Sequence, residues 1–132
     1  MKLFVGALLG TTLVISPVSA KNGTDLLKQC KEAKHFLQAG KMNNTKSLRD
    51  NYTYGTGYCT GLLVGLSVAS NLPEENGDTG TFNKYYCLPG NVSMRRMVSD
   101  VVNYLEKNPN ELHKGDIQLA VNALMATYSC KK

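Results

Sequence analysis

Tryptophan is absent from this 132-residue chain, and histidine occurs only twice, at His35 and His113. No Cys-x-x-Cys or Cys-x-x-His pair is present, which removes the short-spaced patterns that build most zinc sites. Glycine-rich phosphate loops and calcium loops are missing as well. Beyond residue 20 no apolar run reaches the roughly 18 to 20 residues needed to cross a bilayer, and runs alternating apolar with polar residues, the mark of half-buried strands, are lacking. The formal net charge of +5 is spread thinly rather than massed in a basic block, so nucleic acid is not indicated as a partner. These gaps set aside a metalloprotein, a nucleotide-binding enzyme and an integral membrane protein. No cofactor and no metal are expected.

What is present begins with an export pattern. Lys2 supplies a positive start, Leu3 to Ile15 an apolar stretch, and Val18-Ser19-Ala20 a small-residue cleavage site, the three parts of a cleavable signal peptide. Residues 1–20 are therefore read as the signal and 21–132 as the mature domain, with no membrane insertion after cleavage. The four cysteines, Cys30, Cys59, Cys87 and Cys130, all follow the signal. An even set in an exported chain implies two disulfides.

Four segments carry helical periodicity, which predicts an all-α domain of four helices. The first starts near Thr24 and repeats Leu26, Leu27, Cys30, Ala33 and Leu37. The second, about Tyr52 to Ser70, is expected to bury Tyr54, Tyr58, Leu62, Leu66 and Ala69 with Cys59, Leu63 and Val64 broadening that face, while Gly57, Gly61 and Gly65 strip one stripe for close helix approach. The third starts at the N-cap Ser93, buries Met97, Val98, Val101, Val102 and Leu105, and stops before Pro109. The fourth starts near Asp116 with Ile117, Ala120, Val121, Leu124 and Tyr128 on one face. Consecutive helices usually pack antiparallel. That layout sets Cys30 opposite Cys59, and Cys87 beside Cys130 at the end of the last helix, so the expected bridges are Cys30–Cys59 and Cys87–Cys130.

Catalytic chemistry finds few candidates. A cysteine paired with His113 would need a free thiol, and both nearby thiols are expected in a bridge. The carboxylates are scattered among lysines. The polar stretches 38–51 and 71–91 read as loops, and the second carries a cluster of Glu74, Glu75, Asn76 and Asp78. Loops of that length are often functional, which makes these four residues the candidate partner contacts. Seven tyrosines carry most of the aromatic surface, a residue type enriched at protein interfaces and equally the aromatic filler of a core without tryptophan.

The order NGTDLLKQC, YCTGLLVGL, YCLPGNVS, VVNYLEKNP and LAVNALMATYSC resembles the Tai family of type VI amidase immunity proteins, also called resistance-associated proteins. The likeness runs from Asn22 to Cys130. It departs from the family pattern at Leu112-His113 and at Ser129. The resemblance implies a periplasmic, all-helical, often dimeric protein that binds a peptidoglycan amidase effector of a type VI secretion system and occludes its active-site cleft. A small disulfide-bonded envelope stress protein or chaperone is the alternative of another class.

Overall fold

The computed structural model describes residues 21–39, 52–71 and 85–130. Among the described residues four helices follow in order: α1 (Gly23–Ala39), α2 (Tyr54–Ala69), α3 (Met94–Lys107) and α4 (Asp116–Thr127), with a 3-10 turn at Pro109–Glu111 between the last two. Among the described residues there is no strand, only an isolated antiparallel bridge between Asn22 and Gly115. The all-α class expected from periodicity is what the chain adopts.

Local chemistry explains where each helix starts. Asn22 Oδ1 accepts from the backbone N–H groups of Thr24 and Asp25 at 3.0 and 3.1 Å, so Asn22 caps α1 in place of the expected Thr24. Thr53 caps α2 by accepting from the Thr56 N–H at 3.1 Å, and Ser93 caps α3 through the Arg96 N–H at 3.2 Å. Pro109 lacks the N–H that a continuing helix requires, and α3 ends two residues before it.

α1 packs against both α2 and α3. Arg95 Nη2 donates to the Leu37 carbonyl at 2.7 Å, and Lys31 pairs with Glu106 at 2.8 Å, so α3 runs antiparallel to α1. The two expected disulfides are both present, Cys30–Cys59 and Cys87–Cys130, with Cα separations of 5.1 and 4.9 Å. One core collects Leu26, Cys30 and Ala33 from α1, Cys59 and Leu63 from α2, the five expected residues of α3, and Leu119, Ala120, Ala123 and Leu124 from α4. Tyr86, from the arm before α3, is fully buried there and donates its hydroxyl to the Leu66 carbonyl at 3.0 Å.

Two helix faces differ from expectation. α2 buries Cys59, Leu63 and Leu66 as expected but adds Gly55 and Thr56, while Tyr54 and Val64, expected on the same face, are in solvent. This helix contains no charged residue, so no polar stripe marks its outer side. α4 buries Leu119 and Ala123 and exposes Ile117. The glycine stripe is also reassigned. A Cβ at Gly61 or Gly65 would meet open space, whereas one at Gly55 would sit 3.2 Å from the Gln29 Cα, so Gly55 is where α2 presses on α1. Gly23 makes a comparable approach, its hypothetical Cβ lying 2.9 Å from the Leu112 Cα.

Candidate partner-docking surface

All four cysteines are consumed in disulfides, so neither Cys87 nor Cys130 can serve as a nucleophile beside His113. His35 and His113 are both exposed. The surface offers contact geometry instead, concentrated where α2 begins.

There a groove of about 390 Å³ lies between α1 and α2, lined by Asp25, Lys28, Gln29, Glu32, Thr53, Tyr54 and Gly55. Its floor is set by the close approach of Gly55 to α1. Thr53 bonds in two directions: its hydroxyl donates to Glu32 Oε2 at 2.5 Å while accepting from the Thr56 N–H. Two tyrosines flank this cap, and both are held firmly although both are exposed. The Tyr52 ring meets Phe36 edge-on with centroids 5.3 Å apart. Tyr54, 73% exposed, stacks on Tyr58 at 6.2 Å.

Lys21 completes the arrangement. Its Nζ donates to the Tyr54 hydroxyl at 2.6 Å and lies 3.4 Å from the centroid of the Tyr58 ring, a cation–π contact. The Lys21 backbone is itself tied down, its carbonyl accepting from the Asp116 N–H at 3.2 Å. The Tyr58 hydroxyl donates to the buried Asp116 carboxylate. Burial first, then the bond to Asp116, pushes the Tyr58 pKa up to about 12. Exposed aromatic rings whose rotamers are already fixed lose little entropy on docking, which is the property of a binding hot spot.

Outside this end, α2 presents Gly61, Val64, Gly65 and Val68 to solvent, a smooth uncharged strip that continues the surface. The far side of the domain is chemically different. Asp100 accepts from Arg96 Nε at 3.0 and 3.1 Å and from the Tyr128 hydroxyl at 2.6 Å, closing α3 onto the end of α4. Burial and the Asp100 carboxylate together hold the Tyr128 hydroxyl protonated well above the usual phenol range. A second cleft of about 290 Å³, lined by Asp100, Asn103, Tyr104, Lys107, Ala126 and Thr127, runs beside this network.

The sequence-based contacts Glu74, Glu75, Asn76 and Asp78 lie outside the described residues. The sequence offers Tyr52 and Tyr54 only as two of seven tyrosines and sets Tyr54 on the buried face, whereas the structure leaves both exposed beside this groove. The available signal was the charge-free composition of α2: with no polar stripe, its aromatic start did not have to face inward.

Fold and surface together define a small, disulfide-stapled helical binding domain. The Rap1a immunity protein family model matches residues 22–130, and the chain belongs to that family. No curated protein and no solved structure matches it. Rap1a immunity proteins are a type VI effector immunity family, so the chain is an inhibitor by family and not an enzyme, and its implied partner is a cognate effector protein.

Proposed function

We propose that this protein is exported to the periplasm through a cleaved signal at residues 1–20 and neutralises a type VI peptidoglycan amidase there by covering its active-site cleft, as in the Tai subgroup. The family match over residues 22–130 carries this reading. Two further features support it. The disulfides fit an oxidising compartment, and among the described residues no helix is long and apolar enough to cross a membrane. The Tyr52–Tyr54 end of the α1–α2 groove is the contact surface we assign to the effector, because it combines fixed aromatic rings, both hydrogen-bond signs and a rigid floor. Inhibition of this kind needs only contact area and preorganisation.

The test is protection from a periplasmic amidase toxin. Cells directing the cognate effector to the periplasm should lyse, and co-expression of the full chain should rescue them. The same chain without residues 1–20 should fail to rescue. Equal rescue by both forms would overturn the assigned compartment, and rescue by neither would overturn the immunity role.

A further inference from the structure

The two disulfides differ in a way that has chemical consequences. Cys30 and Cys59 are both 0% exposed, enclosed in the core between α1 and α2. Cys87 is exposed and Cys130 is half-buried. Disulfide exchange requires a thiolate to approach a sulfur in line, so burial blocks it and exposure permits it.

Exposure alone would mean little if opening the bridge unfolded the chain, but the arm carrying Cys87 is held by other means. Tyr86, the preceding residue, is fully buried with its hydroxyl on the Leu66 carbonyl. The Cys87 N–H donates to the Tyr128 carbonyl at 2.7 Å. On the other side, the Tyr128 hydroxyl is bonded to Asp100, so the segment leading to Cys130 is anchored through its own side chain. Both ends of the bridge therefore keep non-covalent ties within one residue or two of the sulfurs. The sealed Cys30–Cys59 bridge meanwhile holds the helix core.

We propose that Cys87–Cys130 is a thiol–disulfide exchange site that is open in the folded protein, with a dithiol as its substrate class, whereas Cys30–Cys59 is closed to exchange. The attacking thiolate forms a bond to the Cys87 Sγ and breaks the Sγ–Sγ bond, so the electron pair leaves on Cys130 as a thiolate, which takes up a proton. The second thiolate of the dithiol attacks its own sulfur of the mixed disulfide and releases the Cys87 thiolate. The net change is reduction of the protein disulfide by two electrons and oxidation of the dithiol to its disulfide. This site is where an envelope dithiol oxidoreductase would act on the folded chain, and it does not depend on the identity of the effector.

The experiment exposes the oxidised full-length mature protein to reduced glutathione without denaturant, quenches with iodoacetamide and maps the peptides by mass spectrometry. Glutathione is expected on Cys87 and the alkyl group on Cys130, at least roughly tenfold faster than any label on Cys30 or Cys59, with the far-UV circular dichroism unchanged. Labelling of all four cysteines together, or of none before unfolding, would overturn the proposal. A Cys87→Ser, Cys130→Ser double variant should keep its helical spectrum and a cooperative melt while taking up no glutathione. Loss of cooperative folding in that variant would also overturn it, since the non-covalent ties would then be insufficient.

Discussion

Helices α2 and α3 have similar lengths and both supply the core, yet they are built on opposite plans. α3 carries Arg95, Arg96, Asp100, Glu106 and Lys107 outside a stripe of five buried apolar residues. α2 has no charge at all and leaves Tyr54, Val64 and Val68 in solvent. An ordinary solvated helix marks its outer face with charge. α3 therefore reads as a strut, and α2 as the helix whose uncharged outer surface suits the effector contact proposed above.

The largest effect should come from the joint between α1 and α2. Replacing Cys30 and Cys59 together by serine should cost at least about 4 kcal/mol, from loop closure over 29 residues plus two hydroxyls left in an apolar core. Urea unfolding would read this directly, and a loss under about 1 kcal/mol would show that packing alone holds α2 in place.

The comparison itself is tested next by truncating one apolar residue on each helix. Leu105→Ala on α3 should cost about 2 to 5 kcal/mol, while Val68→Ala on α2 should stay within about 0.5 kcal/mol. Equal costs would mean that the outer face of α2 is packed after all. A smaller effect, confined to binding, is expected for Tyr54→Ala: effector affinity should fall by roughly tenfold or more with little change in unfolding midpoint.

The smallest effect lies in the alkaline limb of stability. Burial and Asp116 raise the Tyr58 pKa from 10.0 in the unfolded chain to about 12 in the fold. The protonated phenol is thus the form that folding favours, its contribution complete below pH 10 and lost as pH climbs to about 12. Tyr58→Phe should flatten the decline of the urea midpoint across that window, and an unchanged slope would place the titrating group elsewhere, with Tyr128 the next to examine.

The same contrast explains how far the chain could be read without coordinates. The buried face of α3 was legible residue by residue, because its charges and apolar residues separate at helical spacing. The cysteine pairing was legible too, since short helices packed antiparallel leave few ways for four sulfurs to meet. The face of α2 was legible only in part: Cys59, Leu63 and Leu66 lie inward as read, but Tyr54 and Val64 do not, because periodicity needs polar residues to define a phase and this helix lacks charge. Close approach through Gly55 rather than Gly57, Gly61 and Gly65 was equally hidden: spacing names a stripe, but only the neighbour across it decides which glycine is pressed. Tyr52 and Tyr54 stand out from the other five tyrosines only once the inward face of α2 is known, and the site residues read from the second polar loop lie outside the described residues.

The most direct measurement is titration of the purified, oxidised protein against the peptidoglycan amidase proposed as its effector, following both complex formation and hydrolysis of peptidoglycan. A stoichiometric complex that abolishes hydrolysis, and is weakened by Tyr54→Ala but not by Val121→Ala on α4, is the predicted result. An amidase that stays active in the presence of excess protein would contradict the account.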